Sequence, residues 1–447
     1  MNRRRLLDEV ERRLDSRSVV WAGIRGDDLE PLADLPNVTA SFTIIGRYTK
    51  RTSIAGVAYE DLTQRRVDLE TWDIDDHLDV PATVEFRRAL MRQLSEPSAL
   101  LPYRPSRFLS AIWFARQSKC LNLGLFGAHQ AAFEHKPWVE SAVRELGVPC
   151  VPWTYVADEE QVDAQRLVAK GPVILRPSRT SGGQGIVRAD NADEVTSRWP
   201  VATEAFVSVS PYLEDSLPLN VGGTVWRDGV TVHRPSVQLI GIPSCVTRPF
   251  GYCGNDFAAA SLLEAGVLDQ IEQSTQTVGN WLAGFGYRGT FGVDFLMHEG
   301  VPLFTEVNAR FQGSTHASCQ LSIENGESCL MLEHIAAVLG LPAPQQPPLR
   351  HEGRGERPLA HVVLHWTGAE PAHLNPQPFV SRVLRERSGS RADVLANPEL
   401  LVDPGAAAAR ITVREQVTDN GYALNNTWRQ VMDGWMPKVD AHVRTQS

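Results

Sequence analysis

The chain has 447 residues, of which 43% are hydrophobic and 22% charged, and its formal charge is −9 at pH 7. This is a globular composition with material for roughly three domains; it excludes collagen-like, coiled-coil and wholly disordered chains. The acidic balance argues against nucleic acid as a partner. No run approaches the ~18 apolar residues of a membrane helix, and six scattered cysteines without a CxxC pair read as reduced thiols. A cytoplasmic protein without a membrane partner is expected.

The first ten residues, Met1 to Val10, read as an amphipathic helix, and Val19–Ile24 and Val38–Ile45 as buried strands. Asp73, Asp75, Asp76 and His77 read as a solvated acidic loop. Lysine is scarce: Lys50, Lys119, Lys136, Lys170 and Lys438 stand among 44 basic residues, so each invites inspection. Lys136 opens a helix, with Pro137 in its first turn, an apolar stripe of Trp138, Val139, Val143 and Leu146, and Gly147 at its end.

A strand-like run, residues 172–176, ends at Arg176 and is followed by the loop Ser178-Arg179-Thr180-Ser181-Gly182-Gly183-Gln184-Gly185. The loop lacks the GK[ST] ending of a Walker A motif and does not open a helix, so a hairpin is its expected context. Its glycines and hydroxyls suit a flap that closes its N–H groups over phosphates; an ordinary mobile hairpin tip is the alternative. Arg176 and Lys136 would add cations beside such a flap. Residues 262–283 read as a long helix, residues 341–358 as a proline-rich linker, and His361–Trp366 and Ala409–Val413 as strands.

The strongest signal is a pair of strands, Gly289–Met297 and Pro302–Arg310. Alternation puts Phe291, Val293, Phe295, Met297, Val307 and Ala309 on one face. Asp294, Glu306, Asn308 and Arg310 share the other. Oxygen ligands of this kind suit Mg²⁺, and Glu306 has two oxygens with which to bridge two ions. For Asp294 and Glu306 to face one another, a turn of odd length centred on Gly300 is expected, with Glu299-Gly300-Val301 as a three-residue loop.

These residues resemble the ATP-grasp superfamily over roughly residues 120–340. In that family a lysine precedes a helix, as Lys136 does here, and a lysine ends the strand before the flap, where this chain has Arg176. The flap matches Ser181, Gly182, Gly183, Gln184 and Gly185. The segment Thr203-Glu204-Ala205-Phe206-Val207 is similar to the hinge that lines adenine and ribose. The metal hairpin matches Asp294, Glu306 and Asn308, with Arg310 in the catalytic position.

The resemblance implies an α/β (α+β) chain: an N-terminal α/β domain over 1–120, a two-lobed ATP-grasp fold over 121–340 hinged near 204–207, a linker over 341–358 and a C-terminal α+β extension over 359–447. It also implies ATP with Mg²⁺ or Mn²⁺ and a carboxylate activated as an acylphosphate. An amine then attacks to give an amide, as in peptide natural-product biosynthesis. Candidate substrate contacts are Arg248 for a carboxylate, Tyr252 or Asn255 for an amino group, and Ser314 in the loop after the metal hairpin. A biotin-type carboxylase, a kinase of the same fold and a non-catalytic nucleotide-binding regulator are the alternatives. The implied partners are a small acid and an amine, amino acids or a peptide; a homo-oligomer is compatible with all of these.

Overall fold

The structure, a computed structural model, describes residues 3–47, 53–124, 127–201, 204–351, 358–387, 389–394, 398–432, 435 and 438–439. Helix α1 (Arg3–Leu14) turns Leu6, Leu7, Val10 and Leu14 into the core, the stripe that a 3.6-residue period produces. Strands β1 (Ser18–Arg25), β2 (Val38–Ile45), β3 (Ala55–Ala58), β4 (Ser98–Pro102) and β5 (Cys120–Asn122) form a parallel sheet in the order β3-β2-β1-β4-β5. Its apolar strands are buried on both faces, as parallel sheets require. Because the strands are parallel, their C-terminal ends share one edge, and Ile24, Arg25, Tyr103 and Arg104 leave that edge for a cleft.

Helix α2 (Lys136–Glu145) has Pro137 in its first turn, and the His135 ring accepts a hydrogen bond from the Trp138 N–H. It leads to a small antiparallel sheet of β6 (Thr154–Ala157), β7 (Val173–Arg176), β8 (Val187–Ala189) and β9 (Phe206–Pro211), in the order β6-β9-β7-β8. The glycine-rich loop joins β7 to β8, which pair antiparallel, so its context is the hairpin that the sequence implies.

The third unit is a broad sheet. It contains β10 (Leu217–Val225), β11 (Val230–Val232), β12 (Ser236–Ile240), β13 (Tyr252–Asp256), β14 (Gly289–His298) and β15 (Val301–Asn308). The C-terminal segment is not a separate layer. Strands β16 (Ala360–His365), β17 (Arg391–Val394) and β18 (Ala407–Val413) continue the same sheet, through antiparallel pairing of β16 with β13. Helix α3 (Ala265–Gly284) covers the face that carries Leu219, Val221, Phe291 and Val293. A second core packs α1 against α4 (Leu330–Val338), joining the N-terminal unit to the broad sheet.

The hairpin β14–β15 brings Asp294 opposite Glu306. Its turn differs from the expected three-residue loop. His298 pairs with Val301, leaving two residues, Glu299 and Gly300, both at positive φ (51° and 80°). That is the backbone a tight hairpin with right-handed strand twist demands, and glycine supplies it without strain. The missing residue reappears as a β-bulge at Thr305, where the register shifts between Asp294 and Phe295. In a regular strand Phe304 and Glu306 would share a face. The bulge instead sends Phe304 into the core against Phe295 and leaves Glu306 beside Asp294.

Candidate active site

Asp294, Glu306 and Asn308 meet on the uncovered face of the broad sheet. The Asn308 amide lies 3.4 Å from Asp294 Oδ2 and 3.5 Å from Glu306 Oε1. Strand β10 lies alongside β14 and sets Asn220 opposite Asp294. Its Nδ2 donates to Asp294 Oδ1 at 2.5 Å and to Gln312 Oε1 at 3.0 Å, and its Oδ1 accepts from Ser314 Oγ at 2.6 Å. Gln238 adds a donor 3.3 Å from the same Asp294 oxygen.

Two carboxyls so close cannot both ionise freely. Burial, reinforced by the charge of Glu306, pushes Asp294 well above the usual carboxylate range. Burial also works against Glu306, but the Lys136 ammonium outweighs it and holds that carboxyl down at about 2. Lys136 and Glu306 form an ion pair from α2 to β15. Arg310 donates from Nη2 to Asn308 Oδ1 at 2.8 Å and from Nε to Glu134 at 3.3 Å. The guanidinium thus orients the amide that faces both carboxyls.

A cleft of about 360 Å³ opens over this cluster. Lys136, Arg176, Ser181, Gly182, Gly183, Tyr252, Asn255, Asp294, Glu306, Asn308, Arg310 and Ser314 all line it. Several candidates stand elsewhere. Gln184 and Gly185 belong to the flap but are not part of the cleft wall. Arg248 does not line the cleft; it is held by Asp68 at 2.6 Å. Tyr252 and Asn255 bond each other at 2.5 Å, and the Tyr252 hydroxyl also lies 3.0 Å from His361 Nε2.

The residues of the expected hinge are placed as follows. Thr203 lies outside the described residues. Phe206 and Val207 open β9, paired with Ala157 and Val156, and Val207 is in the core. Ala205 takes a left-handed turn (φ 56°), and Glu204 bonds the His135 ring at 2.8 Å. None of residues 204–207 lines the cleft. At the other end of β9, Ser210, Pro211, Tyr212 and Leu213 form part of the cleft wall.

Arg176 carries a burden of its own. Its guanidinium is ion-paired with Glu140 of α2, which is fully buried, and stacks 3.9 Å from the Trp153 ring. A planar delocalised cation suits that stacked, paired position, which an ammonium would not fill. His316 is buried with Nε2 3.6 Å from Glu30, away from the cleft wall. The sequence reading missed Glu140, Trp153, Glu134 and Gln238, and the walls from the N-terminal sheet and from β16. Only strand order and helix placement bring these together, and alternation within one segment reports neither.

No group of three or more His, Cys, Asp or Glu side chains able to hold a metal occurs among the described residues. The cluster instead offers two carboxylates and a carboxamide, oxygen donors only. Residues 135–314 match the family described as the ATP-grasp domain. The matched span runs from His135, before the lysine, through the flap and the metal hairpin to Ser314.

The ATP-grasp fold extends to solved structures. The N5-carboxyaminoimidazole synthase of Aspergillus clavatus, in complex with ADP and 5-aminoimidazole ribonucleotide, superposes with a TM-score of 0.62 at 12% identity, covering 94% of this chain and 100% of that one. Biotin carboxylase from Campylobacter jejuni gives 0.60 at 14% identity, over 90% and 88%. Among curated relatives, the formate-dependent phosphoribosylglycinamide formyltransferase of Synechococcus sp. (strain RCC307) is 26% identical over 45% of this chain and 49% of its own. Its counterpart in Parabacteroides distasonis is 21% identical over 69% and 75%. The chain spans about half the length of the Synechococcus relatives it matches. No helix among the described residues is long and apolar enough to cross a membrane.

Proposed function

We propose that the protein is an ATP-dependent ligase that activates a carboxylate as an acylphosphate and joins it to an amine, releasing ADP and phosphate. The observation that carries this reading is the pairing of Asp294 with Glu306 on a sheet face roofed by the glycine-rich flap, with Lys136 ion-paired to Glu306.

The donor set fits Mg²⁺, a hard cation that takes a few oxygen ligands and completes its shell with water and phosphate. Asp294, Glu306 and Asn308 would hold it. Asp294 has no ion-pair partner among the described residues, which leaves its charge to a metal. When bound, Mg²⁺ neutralises the charge of the triphosphate. The rest falls to the chain's own groups. Ser181, Gly182 and Gly183 close over the phosphates, and Ser210 to Leu213 border the nucleotide where the lobes meet. Lys136 and Arg310 hold the acceptor carboxylate against the γ-phosphoryl group, so that two anions meet with their repulsion offset.

The relatives narrow the class of acid. A formate-dependent transferase and a biotin carboxylase stand beside this chain in fold or sequence, so formate and bicarbonate join amino acids and peptides as candidate acids. The test is ADP release across a matrix of acids (formate, bicarbonate, the standard amino acids) and amines (ammonia, the standard amino acids). The proposal expects release that needs one acid and one amine together. Release that ignores both, or that needs an alcohol in place of the amine, overturns it.

A further inference from the structure

Four carboxylates line the cleft among the described residues: Asp68, Glu70, Asp294 and Glu306. Asp68 is paired with Arg248 and Glu306 with Lys136. Asp294 belongs to the oxygen cluster assigned to the metal. Glu70 has no cation within ion-pair distance among the described residues; its carboxylate accepts a hydrogen bond from Ser181 Oγ at 2.9 Å. A half-buried carboxylate with no ion-pair partner can receive a cation that enters the cleft.

Glu70 is also held in place. Arg65–Arg66 pairs with Leu401–Val402 of the C-terminal segment. Buried Arg66 bonds Glu60 at 2.5 Å and the Ala407 carbonyl at 3.1 Å. The Glu70 N–H donates to Asp68 Oδ1 at 3.2 Å, and Asp68 is tied to Arg248. On one side the flap approaches so closely that a Cβ at Gly182 (φ 53°) would fall on the Glu70 carboxyl. Arg310 and Tyr103 line the same cleft, and both feel its charge. The carboxylate therefore touches the loop assigned to the phosphates and shares a cleft with the arginine assigned to the acid.

We infer that Glu70 is the amine subsite: its carboxylate binds the ammonium of the incoming nucleophile and takes the proton that nitrogen must lose before it attacks. The inference rests on the ligase reading above. In the step, the amine lone pair forms a C–N bond to the acyl carbon, and the C–O bond to phosphate breaks with its electron pair on the leaving phosphate. One ammonium proton goes to Glu70 and a second to the phosphate, leaving the amide N–H; Glu70 then returns its proton to water. Ser181 is released from Glu70 when the ammonium takes its place, so filling the amine site frees the flap hydroxyl for phosphate.

The test compares two nucleophiles on one acylphosphate. Wild-type protein and Glu70→Gln are given ATP, Mg²⁺ and the acid that best supports ADP release. One reaction contains the amino acid amine that sustains turnover and the other contains hydroxylamine, which is neutral at pH 7. Glutamine keeps the Ser181 hydrogen bond but neither binds an ammonium by charge nor takes a proton. Amide formation should fall by a factor on the order of ten to a hundred, mainly through the amine KM. Hydroxamate formation should fall far less, and the KM for ATP should stay within about twofold. Equal losses with both nucleophiles, or a raised KM for ATP matched by Ser181→Ala, would assign Glu70 to the flap alone and overturn the inference. Wild-type rates with both nucleophiles would overturn it too. If the wild-type protein forms neither amide nor hydroxamate from any acid, the ligase reading itself fails, an outcome distinct from the others.

Discussion

Lys136 and Glu306 form an ion pair across 170 residues of chain, from the first turn of a helix to the second arm of the metal hairpin. The pair is mostly buried, so each partner's charge depends on the other. Lys136→Met should therefore destabilise the nucleotide-free protein, by about 1–3 kcal/mol, because it leaves two carboxyls facing one another. Glu306→Ala should abolish turnover while the protein keeps its circular dichroism spectrum, since Glu306 faces the cleft and not the core. Added Mg²⁺ should recover part of the stability lost in Lys136→Met, and a thermal melt that ignores Mg²⁺ would count against a metal at this pair.

Asn220 offers a sharper probe of the oxygen cluster. Its amide donates to Asp294 and its carbonyl accepts from Ser314. Asn220→Asp replaces that donor with a third carboxyl at the same place. The variant should lose about 1–3 kcal/mol of stability without metal and require less Mg²⁺ for half-maximal ADP release, since a further carboxylate raises the charge of the oxygen site. Asn220→Ala should show the first effect and not the second.

How far these residues were legible in the sequence differs from one to the next. The alternation in residues 289–310 placed Asp294, Glu306 and Asn308 on one face because a strand's period is fixed at two. The turn was read one residue too long, because a bulge at Thr305 leaves no mark in that alternation. Of the residues expected at the hinge, Phe206 and Val207 also open a strand by pairing with β6, a partner their own segment does not announce. Asn220 and Asp294 come from segments 74 residues apart, and only the β10–β14 register joins them. Glu140 gave no signal at all, since a buried carboxylate in a helix is recognisable only from the Arg176 it meets.

Acid should weaken the fold through histidines kept neutral by burial. His334 is pushed down to about 4, His365 to about 4 and His361 to about 3. His334 shows the reason: its Nε2 meets the Leu123 carbonyl at 2.9 Å and its Nδ1 accepts from the Thr290 N–H at 3.0 Å. A second proton has no place there. In the unfolded chain these rings titrate near 6.5. Their contribution is therefore fully present above about pH 6.5 and is lost as pH falls towards 4, where the unfolded state binds protons that the native state refuses. Urea denaturation should show a decline on the order of 3 kcal/mol attributable to His334 over that window, and a flatter profile in His334→Gln. Stability independent of pH between 6.5 and 4 would contradict this.

The flap should respond to nucleotide. Residues 178–185 include Gly182, Gly183 and Gly185, all at positive φ, and contribute no side chain to the apolar cores. Hydrogen exchange at these amides should slow with ATP and Mg²⁺, while amides of β14 stay unchanged. Equal exchange with and without nucleotide would remove the flap from the phosphate site.

The central claim is that the γ-phosphoryl group passes to the acid. Carboxylate oxygen labelled with the heavy isotope tests this most directly, once the productive acid and amine are known. Lys136, Arg310, the Glu306 cluster and the flap residues Ser181 to Gly183 line one cleft, where an acid would meet the γ-phosphorus for in-line transfer. The account predicts ADP as the nucleotide product and one labelled oxygen in each phosphate released. Label recovered in AMP, with pyrophosphate as the other product, or phosphate free of label would contradict it.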